Sequence, residues 1–474
     1  MRWLMLALFC CRLRASGWSR QARLLLFGSM LMGWSSYGWP ADRDTAILTL
    51  SETLARVLQS NPELAVYPYE IRAAEARTLQ AGLRPNPRIS VDVDNVLGSG
   101  ALSGIDAMET TLALSQVIEM GNKRSLRRDV GSWQRQAVER DYELARLDAL
   151  AAAASRYLEV AQTQRLLNFS KQVVEWTQAS EAVAKRRFDV GGASRAELGR
   201  ARTDSMQASL EVSNLEVRLA SAKRRLAGLW GETEPDFAIV GAELFSLVEI
   251  PDFTRVRAQL EQAPQLQRFL TQRRLRQAQL ELAIAAGRQD IEVGAGFKHL
   301  RETNDIGMVL QFSMPLGLND QNPGNIQAAR EDLAVLDMEE EATRVRIFTE
   351  LRNAYAQLEQ TRRQVTVLRD DILPEARETL ELIQEGYRAG RFSYLEVVQA
   401  RQQVLAVEND AVVAATDFHQ TLITLESLTG QPLTGAGQIL TGTNTTNGPP
   451  SEFRLPYLDG SAVDEQTSRQ EKSR

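Results

Sequence analysis

Cysteine and histidine, the residues best suited to nucleophilic or soft-metal chemistry, occur at only four positions: Cys10, Cys11, His299 and His419. The cysteines are adjacent near the start and the histidines stand far apart. Neither a spaced Cys/His metal site nor a nucleophile beside its base is on offer. No glycine-rich loop that could cradle a phosphate is present. The sequence therefore predicts a protein that is not an enzyme and uses no cofactor and no bound metal. His419 falls in a helical stretch, where a hydrogen-bonded structural role is expected, and His299 is expected in a hairpin loop.

Carboxylates offer chemistry of another kind, the attraction of cations. Glu378, Glu381 and Glu385 step by three and four, which puts them on one helix face and by itself reads as a solvated face. Asp92, Asp94, Asp290 and Glu292 alternate with apolar residues, so strands there would show one charged and one apolar side. Over the 474 residues, 55 Lys+Arg against 61 Asp+Glu leave a net charge of −6, which argues against a nucleic-acid partner.

A third group of residues shapes turns, and it occurs twice. Gly191, Ser194 and Glu197 recur at constant offset as Gly390, Ser393 and Glu396. Glycine supplies the positive φ that ends a helix, serine caps the next one, and glutamate three residues on completes a capping box. The match extends to Leu226, Leu229 and Gly231 against Leu425, Leu428 and Gly430. Upstream, Asn61-Pro62-Glu63-Leu64 matches Ala263-Pro264-Gln265-Leu266, and Ile89 and Val91 match Ile291 and Val293. The chain is two copies of one unit.

The elements that hold these residues follow from the breakers. Residues 132–190 and 391–429 contain no Gly or Pro, and 325–385 contain only Pro374, which should kink its helix. Helices of about 60 to 65 residues span roughly 90 to 100 Å and must lie in a coiled-coil-like assembly. Each unit reads as a short helix, a second helix (about 62–83 and 264–286), a β-hairpin, a very long helix, a tight turn and a helix of about 37 residues. Arg202 and Arg401 could pair with carboxylates near the turns, as exposed helix pairs of little weight. Apolar residues alternate with polar ones in all four strands, which fits either half-buried strands of a soluble sheet or a lipid-facing barrel wall. Four strands cannot close a barrel. Two copies would give eight and a filled lumen, three would give twelve and a channel.

At the N-terminus, Arg12, Arg14, Arg20 and Arg23 precede the apolar run Leu24 to Trp34, and Ser36 and Gly38 suit a cleavage site, so residues 1–38 read as a secretory signal peptide. The cysteines lack the small residues that precede the cysteine of a lipoprotein signal. The expected organisation is a first repeat over 48–231 (β-hairpin about 87–118, helical hairpin about 122–230) and a connector or belt over 232–262. A second repeat follows over 263–431 (β-hairpin about 289–316, helical hairpin about 323–430), then a disordered tail over 432–474, rich in Gly, Thr, Asn, Ser and Pro.

The duplicated pattern resembles the TolC family of outer-membrane efflux channels over about residues 48–432. Leu50-Ser51-Glu52-Thr53-Leu54 with Asn61-Pro62-Glu63-Leu64 looks like the family's entry motif, and Tyr387, Gly390, Ser393, Glu396 and Val397 look like its hairpin-tip motif. The stretch Ser115 to Arg124, with Pro315-Leu316 and Asn322 to Ile326, is similar to the cobalt–zinc–cadmium and copper efflux branch, although Val117 and Met120 stand where relatives commonly have Pro and Leu. The resemblance implies a mainly α fold with a β-barrel part. As a homotrimer it would form a 12-stranded pore in the outer membrane of a Gram-negative bacterium, continued by a periplasmic α-helical barrel. It also implies two partners, a periplasmic adaptor (membrane fusion) protein and an inner-membrane pump of the resistance–nodulation–division type. Gly191, Ser194, Glu197, Gly390, Ser393 and Glu396 would be the docking tips. Glu378, Glu381, Glu385 and Arg401 would form the periplasmic gate, and Asp92, Asp94, Asp290 and Glu292 would face the barrel lumen. The function expected is passive conduction of heavy-metal cations; a drug or type I secretion channel is the alternative within the family. A periplasmic structural coiled coil is the alternative outside it, and a periplasmic adaptor would carry one helical hairpin rather than two.

Overall fold

A computed structural model of the chain describes residues 47–431; the expected signal peptide and tail lie outside them. The chain enters through a two-residue strand β1 (Ile47–Leu48) and helix α1 (Leu50–Ser60), capped by Thr49, whose hydroxyl accepts from the Glu52 amide. Asn61 stops the helix: its Oδ1 accepts from the amides of Glu63 and Leu64, and its Nδ2 donates to the Leu229 carbonyl. The helix expected over 62–83 is split into a single 3₁₀ turn (Leu64–Val66) and α2 (Tyr67–Ala81), with Pro68 in the first turn of α2, where its missing N–H costs nothing.

Strands β2 (Arg88–Asp94) and β3 (Glu109–Ile118) form the first hairpin, and α3 (Lys123–Asp189) follows with 67 residues, about 100 Å of helix. After a tight turn α4 (Arg195–Ala227) runs back. The connector contains only β4 (Ile239–Val240), parallel to β1, and α5 (Phe253–Ala258) with a 3₁₀ turn. The second unit repeats the plan with α6 (Pro264–Ala286), β5 (Ile291–Leu300), β6 (Asp305–Ser313) and α7 (Pro323–Thr366). It ends with α8 (Leu373–Arg388) and α9 (Tyr394–Thr429). Between α7 and α8 the backbone widens into one π turn, Val367–Ile372. It lies directly before Pro374, whose ring crowds the preceding turn and which donates no hydrogen bond, so the expected kink takes the form of a local change of winding.

The four long strands make one antiparallel sheet in the order β2-β3-β5-β6, so β2 and β6 are its open edges. The apolar core is a string of clusters along the helices. The largest joins Leu48, Leu54, Tyr157, Leu226, Trp230, Val240 and Ile423 at the connector; the next gathers Val256, Ile347, Leu351, Phe418 and Leu422. Further along, Phe169, Val173, Leu380, Val404 and Val407 meet, and Ala184, Leu198, Ala201, Tyr387, Tyr394 and Val397 close the tip.

The connector has little secondary structure to satisfy its own carbonyls, and side chains of the rods supply the donors. Gln164 exchanges two hydrogen bonds with the backbone of Val240, His419 bonds the Leu244 carbonyl at 2.9 Å, Arg369 the Phe245 carbonyl at 2.8 Å and Tyr355 the Pro251 carbonyl at 3.1 Å. The segment is thereby strapped across α3, α7 and α9. His419 holds the structural role expected of it. Burial pushes its pKa down, so the neutral imidazole is favoured.

Candidate functional site

The sheet sorts its side chains by the two-residue alternation of its strands. On one face the registered rows are Ile89, Leu114, Ala295 and Leu310, then Val91, Leu112, Phe297 and Met308, then Val93, Thr110, His299 and Ile306. Most of these apolar side chains are exposed, Phe297 at 64 % and Leu310 at 73 %. His299, expected in the loop, belongs to β5 and sits on this face, its ring bonded to Asn304. An exposed apolar face of this extent needs a covering, because water will not tolerate it cheaply.

The opposite face carries Asp92 and Asp94, both exposed, with Asp94 registered against Glu109 and Asp92 against Thr111. Lys298 lies on this face too and forms an ion pair with Glu109. Glu292 is on the same side and accepts a 2.7 Å bond from Ser115. Asp290 stands one residue before β5, at the joint with the helices, where it accepts from Lys123 at 2.8 Å and from the Met120 amide at 2.9 Å. Of the four predicted carboxylates, Glu292 and Asp290 are hydrogen-bonded, while Asp92 and Asp94 make no side-chain hydrogen bond or ion pair among the described residues. Gly294, Gly296 and Gly307 share this face. A Cβ at Gly296 would fall 2.4 Å from the Leu112 carbonyl oxygen, so the strands approach there as only glycine allows.

At the other end of the rods, Gly191 and Gly390 have φ of 78° and 75°, and Ser194 and Ser393 cap α4 and α9. Both turns have the expected chemistry, but the capping box is complete only at the second. There Glu396 accepts from the Ser393 amide, which holds its carboxyl below the usual range. At the first, the Glu197 carboxylate turns away from its own cap and accepts a 2.8 Å bond from the Tyr387 hydroxyl across the tip. Arg187 lies over the Tyr387 ring, 4.8 Å from its centre, and donates to the Tyr387 carbonyl.

Two turns further in, Asp204 of α4 accepts from the Tyr394 hydroxyl at 2.7 Å and from Arg401 at 3.0 Å. Arg401 is only 5 % exposed, which corrects the expectation of a surface pair; Arg202, its counterpart in the first unit, stays exposed, 3.6 Å from Glu181. Burial first and the carboxylate partner second push both tyrosine pKa values up, so both phenols remain donors. Still further from the tip, Glu408 is fully buried between Arg165 (2.6 Å) and Arg377 (2.7 Å). Glu378, Glu381 and Glu385 form an exposed stripe on α8, which packs through Leu373, Leu380 and Tyr387 instead. Arg401 is brought to Asp204 rather than to these glutamates.

The cross-tip bonds were missed in the sequence, although a signal exists. Tyr387 and Tyr394 occupy the positions of Phe188 and Arg195 in the first unit. The hydroxyl that Tyr387 adds to its counterpart Phe188 is a polar atom that the turn chemistry itself does not call for. Among the described residues no three or more His, Cys, Asp or Glu side chains converge to hold a metal, and no helix is long and apolar enough to cross a membrane.

Paired long helices joined to a four-stranded antiparallel sheet with one exposed apolar face are the architecture of outer-membrane efflux channels. The model of the outer membrane efflux protein family matches the chain twice, over residues 53–232 and 247–431, once for each repeat. The chain belongs to that family. It is 27% identical over 382 residues to the cobalt-zinc-cadmium resistance protein CzcC of Cupriavidus metallidurans, covering 79% of this chain and 90% of the relative. It is 26% identical over 310 residues to the nickel and cobalt resistance protein CnrC of the same organism, covering 64% and 72%. Its fold matches the crystal structure of CusC, a study of transmembrane channel formation, with a TM-score of 0.67 at 17% identity over 83% of this chain and 95% of that one. The chain is thus an outer-membrane efflux channel protein with heavy-metal-resistance relatives, and the mainly α fold with a β-barrel part is that of its structural neighbours.

Proposed function

We propose that the protein is the outer-membrane channel subunit of a tripartite efflux system and passively conducts heavy-metal cations delivered by a periplasmic adaptor and an inner-membrane resistance–nodulation–division pump. The observation that carries this reading is the sheet. Its edges β2 and β6 are unpaired and its exposed face is apolar, and an open edge is not tolerated in lipid. Other copies must supply the missing strands, and three copies give a twelve-stranded pore wide enough to conduct. The polar face becomes the lumen, with Asp92 and Asp94 favouring cations. The rods continue the pore through the periplasm of a Gram-negative cell.

The tips around Gly191, Ser194, Glu197, Gly390, Ser393 and Glu396 are the surfaces offered to the adaptor. The Glu378, Glu381 and Glu385 stripe borders the tunnel near them. The cross-tip bonds of Tyr387 and Tyr394 hold the two helical hairpins together and keep that end narrow; Arg401 supports the latch rather than the stripe. The metal reading is supported by CzcC and CnrC, whose names concern cobalt, zinc, cadmium and nickel. Deleting the gene and challenging cells with these metals and with hydrophobic drugs tests it. Lost metal tolerance with unchanged drug tolerance is expected, and the reverse would overturn the metal assignment in favour of a drug channel.

A further inference from the structure

Where the sheet meets the rods there is a polar cavity of about 630 Å³, lined by Arg84, Gln116, Ile118, Lys123, Arg124 and Arg128 among others. Its one carboxylate, Glu119, is already bonded to Arg127, and Lys123 is held by Asp290 and the Arg288 carbonyl. The side chains of Arg84, Arg124 and Arg128 make no hydrogen bond or ion pair among the described residues. Three guanidinium groups with their donors uncommitted thus share one cavity. The first turn of α3 also opens on it, since the Asn122 side chain does not cap that helix, and adds the positive end of its dipole.

The fold does not require this cluster. The second unit builds the same joint, with Asn322 at the same cap position and in the same left-handed conformation as Asn122. Counting onward from the two caps, Gly324 stands where the first unit has Arg124, and Ala328 where it has Arg128. At these two positions one copy carries cations and the other does without them.

The position of the cavity selects the ligand. Gln116 and Ile118 share the apolar face of β3 with Leu114 and Leu112, and the Gln116 amide bonds the Pro85 carbonyl, which brings the linker before β2 over that face. The cavity therefore lies at the foot of the surface that meets hydrocarbon, at the depth where lipid headgroups sit. Arginine's planar fork binds phosphate oxygens in pairs, and basic pockets at this depth suit anionic headgroups. We propose that Arg84, Arg124 and Arg128 form a binding site for the phosphate ester of an anionic phospholipid, one per protomer, with the acyl chains lying along Ile118, Leu114 and Leu112. This rests on the reading of the sheet as a lipid-facing wall.

The test is native mass spectrometry of the full protein in detergent, titrated with phosphatidylglycerol or with zwitterionic phosphatidylcholine of the same chains. Three proteins are compared: wild type, the triple variant Arg84→Gln, Arg124→Gln, Arg128→Gln, and a charge-matched control, Arg200→Gln, Arg218→Gln, Arg224→Gln, at exposed positions of α4. Wild type and control should retain phosphatidylglycerol in preference to phosphatidylcholine, and the triple variant should bind it at least about tenfold more weakly while keeping its oligomeric mass. Equal binding by the triple variant, or no preference between the lipids, overturns the site. Displacement of the lipid by millimolar inorganic phosphate overturns the lipid assignment in favour of a soluble phosphate ligand. Single-channel conductance of the same preparations separates this from the reading beneath it: a conducting protein without the lipid site loses only the site, whereas a protein that forms no pore loses the wall itself.

Discussion

The hydroxyl of Tyr387, in the last turn of α8, donates a 2.8 Å hydrogen bond to Oε1 of Glu197, in the first turn of α4. The two residues belong to different repeats, so this bond fastens one helical hairpin to the other at the tip. It replaces the reciprocal arm of the capping box that the first turn would otherwise have. A local cap has been exchanged for a link between hairpins. Tyr387→Phe keeps the ring and its packing and removes only the link, worth about 1 kcal/mol. Hydrogen exchange of the tip amides should speed up about fivefold, with the rest of the rods unchanged. Unaltered exchange there would mean that packing alone holds the tip.

The second link is the stronger one. Asp204 serves both Tyr394 and the buried Arg401, so Asp204→Ala strands a charge in the core, at a cost of about 3 kcal/mol. The exposed pair of Arg202 with Glu181 has no such burden, and Arg202→Ala should cost under about 1 kcal/mol. Hydrogen exchange at the tip ranks the two directly. Planar-bilayer recordings should show a larger conductance for Asp204→Ala than for wild type. Equal effects of both variants would contradict the latch.

Glycine is required where the polar face of the sheet is tightest. At Gly296 an added side chain would meet the Leu112 carbonyl at 2.4 Å, whereas at Gly307, on the same face, nothing lies within 4 Å. Gly296→Val should reduce the assembled protein recovered from outer membranes at least about tenfold, and Gly307→Val should leave it near the wild-type level. Membrane fractionation followed by electrophoresis without heating reads both.

His419 gives the stability a pH dependence of known sign. Burial lowers its pKa in the folded state, so the unfolded chain binds the proton more readily. The contribution is complete above the ordinary histidine pKa of about 6.5 and is lost as pH falls below it toward the depressed folded value. Asp141, Asp148 and Asp417, whose pKa values burial raises, act in the opposite sense, so the comparison must be with His419→Gln. Between pH 7 and pH 5 the thermal midpoint of wild type should fall relative to that variant. Parallel curves would mean that the hook onto Leu244 is not sensed by the proton.

Much of the architecture was legible because it is periodic. Gly and Pro spacing marks the long helices, two-residue alternation marks the strands, and the constant offset of Gly191 and Gly390 marks the duplication. What could not be read depends on contacts between distant segments. The burial of Arg401 is decided by how α9 lies against α4, and the turn of Glu197 away from its cap is decided by a tyrosine in the other repeat. The placement of His299 turned on a hairpin loop shorter than the pattern suggested, since β5 runs on to Leu300. The π turn before Pro374 was invisible for another reason: proline announces a disturbance but not how the chain absorbs it.

The central claim is that four strands with open edges are completed by two further copies in the outer membrane. Light scattering of the detergent-extracted protein from separated membranes, corrected for bound detergent, measures this directly. Three chains per particle in the outer-membrane fraction is the result predicted. A monomer or dimer recovered from the soluble periplasm would contradict it and leave the long helices as a structural coiled coil.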